Sequence, residues 1–229
     1  MKTHVLSIAI AISSAAQPVL AADLSFSPAP GVRFQTSLES LQERRWKSVV
    51  RQGLDISCGS AALATILYFH FGDQVQEDQL IREIITQVTR AEVKKRGGFS
   101  LLELKRVASK LGYTVKGYKM TLDQLQRRGG PSIVPIAVRG FKHFVVYRGM
   151  LGDRVILADP AFGNTVMPDF EFQQIWSGVG LYFTKHSEEP FPAKLDVVPE
   201  DLSVATPDGA IRSFFERSLI NTFSRPDEF

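Results

Sequence analysis

The chain has 229 residues, 27 Lys and Arg against 24 Asp and Glu for a formal charge of +3, 44% hydrophobic residues and a single Cys. That apolar share at so small a net charge excludes a largely disordered chain, and the pI of about 9.0 rests on too small an excess of base to indicate a nucleic-acid partner. One Cys rules out an internal disulfide and a Cys-rich zinc site, and a chain of this length can build a core without either.

Met1-Lys2-Thr3-His4 is a short basic start, Val5 to Ala16 is mostly apolar and small, and Gln17-Pro18-Val19-Leu20-Ala21-Ala22 is a small-residue exit. This is the three-part pattern of a secretory signal peptide over residues 1–22, with cleavage after Ala21 or Ala22. The apolar run falls short of the ~20 residues of a membrane span. An exported, periplasmic protein without a transmembrane segment after signal cleavage is therefore expected, with an uncleaved anchor as the competing reading.

Residues 23–48 read as an N-terminal extension. Asp23 to Val32 holds two Pro and predicts a flexible lead-in, and Thr36 or Ser37 is placed to cap a helix through about Lys47. Ser57-Cys58-Gly59-Ser60 opens the run Ala61 to Phe71, apolar nearly all round, which predicts a buried central helix. Glu77 to about Lys95 reads as one helix, with Leu80, Ile84, Ile85 and Val88 at helical spacing, broken at Gly97-Gly98. Ser100 and Glu103 form a capping box for a further helix that Gly112 closes.

After Gly112 the texture changes. Tyr113 to Tyr118 predicts a strand and Thr121 to Gln126 a short helix. Ile133–Val138, His143–Arg148 and Arg154–Ala158 predict strands, the last two joined by a turn at Gly149–Asp153. Thr165-Val166-Met167 and Val179 to Thr184 could add edge strands. Pro190, Pro192, Pro199 and Pro207 mark a loose linker within 187–229, and Asp208 caps a C-terminal amphipathic helix bearing Ile211, Phe214, Phe215, Leu219 and Phe223 on one side. Helices followed by antiparallel strands make the class α+β.

Cys58 sits at the predicted N-terminus of the buried helix, where the helix dipole and free backbone N–H groups stabilise a thiolate. An inert buried thiol is the plainer alternative. Gln52, six residues upstream, could aim its side-chain amide at the same oxygen as the Cys58 N–H, which would make an oxyanion hole. Of the four His, His4 lies in the signal peptide, His70 is about three helical turns beyond Cys58, and His186 falls in a polar stretch. His143 begins its strand, and Asp159 ends the neighbouring one before Pro160. A hairpin brings these two to the same open end, within side-chain reach. There an Asp fixes the tautomer of the His and stabilises its imidazolium. The plain readings are a core His and a turn Asp. Lys94-Lys95-Arg96 reads as a solvated helix end. Gly97-Gly98 and Gly129-Gly130 lack the Lys and spacing of a phosphate loop. No His or carboxylate cluster has metal-ligand spacing, so neither a cofactor nor a metal is expected.

These residues fall into a pattern that resembles the bacteriocin-processing peptidases, papain-like enzymes that remove double-glycine leader peptides. The resemblance runs from about Val49 to Phe183. It is carried by Arg51-Gln52 with Asp55, Ser57-Cys58-Gly59, by Gly98-Phe99-Ser100-Leu101-Leu102 with Leu104, and by Lys110-Leu111-Gly112-Tyr113. His143-Phe144-Val145-Val146-Tyr147, Ala158-Asp159-Pro160-Ala161 with Gly163, and Trp176 with Gly178 complete it. It implies a papain-like α+β domain over 49–186, with the nucleophile at a buried helix N-terminus packed on an antiparallel sheet. By position it makes Cys58 the nucleophile, His143 the general base and then acid, Asp159 the orienter and Gln52 the oxyanion donor. Transporter-fused members usually carry an acidic residue directly before the Cys; here Ser57 stands there, with Asp55 two earlier, and no Walker motif is present. That is more similar to the stand-alone, exported branch, one type of which sits in functional-amyloid secretion operons. The implied function is a periplasmic cysteine endopeptidase that cleaves an exported polypeptide after small or Gly residues, with secreted amyloid subunits or their export machinery as partners. A non-hydrolytic peptide-binding module and an acyl or amide transferase using the same triad are the alternatives.

Overall fold

The structure, a computed structural model, describes residues 22–29, 32–38, 40–138, 140–185 and 194–203. The signal peptide before Ala22, His4, His186 and the helix expected from Asp208 lie outside the described residues. The chain divides into two units, residues 1–40 and 41–229.

In the first unit, β1 (Ala22–Ala29) and β2 (Val32–Leu38) pair antiparallel, with Ala22 opposite Leu38 and Phe26 opposite Phe34. This corrects the lead-in, since Ala22–Ala29 is a strand, and the cap, since Thr36 and Ser37 belong to a strand; the helix expected to run to about Lys47 forms over Leu41–Trp46. Leu24 and Phe26 alternate with Ser25 and Ser27, and Phe34 with Arg33 and Gln35. That period of two is a strand signal, here interrupted by Pro28 and Pro30.

The second unit opens with α1 (Leu41–Trp46), then α2 (Cys58–Phe69), in which every residue from Cys58 to Leu67 is buried. The helix expected over 77–95 is two, α3 (Glu77–Ile85) and α4 (Arg90–Arg96). Thr89 turns extended, accepts the Glu92 N–H and returns its own N–H to the Glu92 carboxylate, a capping box that restarts the helix. The Ser100–Glu103 box opens α5 (Leu101–Lys110) as expected. Glu103 also accepts Arg96 at 2.8 and 3.0 Å, so Lys94 and Lys95 are solvated while Arg96 is tied down.

The remaining elements are β3 (Thr114–Lys119), α6 (Leu122–Arg128), β4 (Ser132–Val138), β5 (Phe141–Leu151), β6 (Arg154–Asp159), β7 (Gly163–Pro168), α7 (Asp169–Ile175) and β8 (Val179–Thr184). They build a six-stranded antiparallel sheet in the order β3-β8-β4-β5-β6-β7. Contrary to expectation β8 is interior; of the two strands expected at an edge only β7 lies at one, and β3 forms the other edge. Gly180 to Phe183 are buried, which is the unbroken apolar run of a strand covered on both faces. The helix α7 had no counterpart in the sequence reading, although Pro168-Asp169 is a helix-start signal.

One face of the sheet packs on the helices: Leu63, Ile66 and Leu67 of α2 meet Leu80, Leu104, Val107, Val146 and Phe183. On the other face Leu125, Val145, Tyr147, Leu157 and Phe172 form a second cluster. Leu63 and Leu67 have no exposed surface, and truncating either to Ala costs about 2–5 kcal/mol. The loose linker is also corrected in part. Leu195 is buried, the Lys194 N–H donates to Phe69 O at 3.0 Å, and Pro199–Ser203 forms a 3₁₀ turn. Among the described residues no helix is long and apolar enough to cross a membrane.

Candidate active site

The helix α2 begins at Cys58, and its N-cap Ser57 does not cap it with its side chain. The first helical bond runs from the Ala61 N–H to Ser57 O at 3.1 Å. The N–H groups of Cys58, Gly59 and Ser60 thus belong to the first turn, whose donors have no acceptor within a helix. Such donors suit a developing oxyanion. Cys58 is a free, buried thiol. Gly59 permits the close packing of this helix end: a Cβ there would meet Leu104 Cδ1 and Phe144 Cδ2 at 3.2 Å.

His143 is the third residue of β5, opposite Ile136 on β4, rather than its first. Its Nε2 lies 2.8 Å from Asp159 Oδ1, with both side chains buried. Asp159 ends β6, and after Pro160 the chain turns so that Ala161 and Phe162 donate their N–H groups to the same Oδ1, at 2.7 and 3.2 Å. The turn is pressed against α1, because a Cβ on Gly163 would collide with the Arg45 carbonyl oxygen. With Nε2 engaged by the carboxylate, Nδ1 is the ring nitrogen left for Cys58, which acts to raise the His143 pKa. Burial pushes the His143 pKa down. The Asp159 carboxylate, aided by Cys58, outweighs burial and holds the imidazole well above its ordinary value.

Gln52 is bound into the same region by its backbone, whose N–H donates to Pro160 O at 3.0 Å. Its side-chain amide nitrogen donates to Leu54 O at 2.9 Å and to Asp55 O at 3.3 Å, and its Oε1 is buried without a partner. The amide is therefore folded onto its own loop. His70 caps the far end of α2, as its spacing demands, and burial lowers its pKa. Two neighbours escaped the sequence reading. The Phe162 ring stands edge-on to His143, with centroids 6.5 Å apart. Glu77, the first residue of α3, accepts a hydrogen bond from Ser57, the residue before the thiol. Phe162 was within reach of inspection in the Asp159–Gly163 turn; no local pattern marks Glu77. Among the described residues no group of three or more His, Cys, Asp and Glu could hold a metal ion.

A buried thiol at a helix N-terminus, an imidazole with one nitrogen held by a carboxylate, and free N–H groups alongside make up the equipment of nucleophilic thiol catalysis. The helices packed on an antiparallel sheet are those of a papain-like cysteine peptidase. Residues 46–188 match the Peptidase C39 family, and the chain belongs to that family. It is 35% identical over 180 residues to a protein of Pseudomonas aeruginosa named Probable functional amyloid protease FapD, covering 78% of each chain. A protein of Pseudomonas fluorescens with the same name is 36% identical over 166 residues, covering 72% of this chain and 73% of its own. A solved double-glycine-motif protease from an AMS/PCAT transporter, in complex with the leader peptide, is 27% identical with a TM-score of 0.52, covering 62% of this chain and 96% of its own.

Proposed function

We propose that this cysteine peptidase is exported to the periplasm and cleaves a secreted polypeptide there, with Cys58 as nucleophile, His143 as general base and acid, and Asp159 as orienter. The observation that carries the reading is the buried His143–Asp159 pair, with Nε2 engaged at 2.8 Å and Nδ1 left for the thiol. The Cys58 proton passes to Nδ1, and the thiolate sulfur bonds to the scissile carbonyl carbon. The carbonyl oxygen becomes an oxyanion, received by the Cys58 N–H and by a Gln52 amide hydrogen released from its longer contact, to Asp55 O. Collapse breaks the C–N bond as His143 gives its proton to the leaving amine. Water then adds to the thioester while His143 takes its proton, and the thiol departs to restore the site.

The signal-peptide pattern at residues 1–22 supports export. The names of the Pseudomonas relatives support secreted amyloid subunits, or their export machinery, as substrate or partner. The double-glycine protease supports cleavage after small or Gly residues. Mass spectrometry of the mature protein incubated with co-secreted proteins and with double-glycine peptides tests the reading. New fragments that vanish with Cys58→Ala are expected; cleavage that survives the substitution overturns it. Product masses that shift when amines are added would reveal acyl transfer in place of hydrolysis.

A further inference from the structure

The turn from Gln52 to Cys58 carries both proposed oxyanion donors, and a carboxylate outside the turn holds its shape. Glu77 is half-buried against it. Its Oε2 accepts the Gly53 N–H at 2.9 Å, and its Oε1 accepts the Ser57 hydroxyl at 2.6 Å. Ser57 Oγ in turn accepts the Leu54 N–H at 3.1 Å and lies 2.9 Å from Leu54 O. That same carbonyl accepts the Gln52 amide at 2.9 Å and the Ser57 N–H at 3.2 Å.

Ser57 has one hydroxyl hydrogen and two acceptors within reach, Glu77 Oε1 and Leu54 O. An ionised carboxylate can only accept. It therefore takes that hydrogen and leaves Leu54 O to Gln52. A protonated Glu77, or an amide in its place, would donate to Ser57 Oγ and turn the hydroxyl hydrogen onto Leu54 O. A carbonyl oxygen has two lone pairs, so a third donor competes with the Gln52 amide.

We propose that Glu77 is a positioning residue for catalysis: acting through Ser57 and Gly53, it holds the turn that aims the Gln52 amide and the Cys58 N–H at the oxyanion. This rests on the roles proposed above for Gln52 and Cys58. The groups facing Glu77 are Ser57, Gly53 and Ser60 from the turn and α2, and Asp78 from α3, which is itself paired with Arg82 at 2.7 Å. Burial raises the carboxyl pKa, Asp78 adds to the rise, and the hydrogen bonds oppose it. A raised carboxyl pKa means that the fold is more stable with Glu77 protonated, and that this stability is lost as pH rises through the folded pKa. A neutral amide at position 77 thus relieves a stability cost while misplacing a catalytic donor. A merely structural residue would lower both stability and turnover.

The test compares wild type, Glu77→Gln and Glu77→Ala on a peptide with Gly-Gly at the cleaved bond and, without substrate, by amide hydrogen exchange over residues 52–58. Glu77→Gln is expected to melt at or above the wild-type temperature at pH 7. Its kcat should fall by on the order of 10-fold or more, against the roughly 10²–10³-fold loss typical of removing an oxyanion donor outright. Its KM should stay within about threefold, the loss falling on kcat because the donor acts in the transition state. Its acid limb should lack the Glu77 ionisation, and Glu77→Ala should exchange faster at Gly53 and Leu54. A Glu77→Gln kcat within about twofold of wild type, or unchanged exchange in Glu77→Ala, overturns the proposal. If Cys58→Ala is dead in the same assay, that failure leaves the peptidase reading standing. Cleavage surviving in Cys58→Ala overturns both.

Discussion

His143 and Arg148 stand five residues apart on β5, 8% and 7% exposed, and each meets an aspartate at 2.8 Å, Asp159 buried and Asp201 partly so. Arg148 uses all five of its donors. They go to Leu195 O, Asp196 O, Asn164 Oδ1 and both oxygens of Asp201. Asn164 then donates to Lys47 O at 2.7 Å, so the cluster ties α1, β5, β7 and residues 194–203 together. The pair is saturated, and a guanidinium has donors but no acceptor atom. His143 differs on both counts. One ring nitrogen is held, the other is left for Cys58, and the ring titrates. A buried pair whose hydrogen bonds are closed acts as a staple; one left with an open nitrogen can move a proton.

That contrast can be broken most strongly at His143. His143→Ala should lower kcat by on the order of 10⁴–10⁶-fold in a variant that still folds, because Asp159 keeps the N–H groups of Ala161 and Phe162. Single-turnover cleavage and a melt by circular dichroism check this, and retained activity would remove His143 as the base. Asp159→Asn should cost roughly 10²–10⁴-fold. It should also move the alkaline limb of the pH–rate profile to lower pH, since the carboxylate holds His143 protonated.

The opposite pattern is expected at the staple. Arg148→Met leaves the partly buried Asp201 without its partner, and the cost of breaking a fully buried pair, about 3–5 kcal/mol, sets the upper limit of the loss. Denaturant unfolding should show that loss while kcat per folded molecule stays level; a matching fall in kcat would erase the distinction between the two pairs. The smallest effect is in the pH dependence of stability. The folded His143 pKa is raised, so its contribution is complete below the unfolded value and is lost as pH rises through the folded one. The wild-type melting temperature minus that of His143→Ala should therefore shrink from acid toward alkaline pH, whereas a flat difference would mean that His143 gains nothing from Asp159.

Much of the candidate site was legible because its chemistry sits at punctuated element ends. Cys58 follows a helix-start pattern, Asp159 precedes a Pro that stops a strand, and a short hairpin joins His143 to it. The capping box at Ser100 was legible for the same reason, being complete within four residues. The box at Thr89 was equally local, but the apolar spacing of Leu80, Ile84 and Val88 ran on and hid the break. In the first unit two prolines outweighed the alternation of β1.

The amino-acid sequence by itself determined the α+β class, the buried helix with Cys58 at its start, and the hairpin that pairs His143 with Asp159. These follow from periodicity, caps and turns, whose partners lie a few residues apart or across one short connection. Tertiary structure alone decided that β8 lies inside the sheet, that Glu77 reaches the turn before Cys58, and that Arg148 captures Asp201. The last two join residues 20 and 53 positions apart. No local preference encodes such a contact: it forms only when packing of the apolar faces has brought the two segments together and excluded the water that would otherwise satisfy the charge.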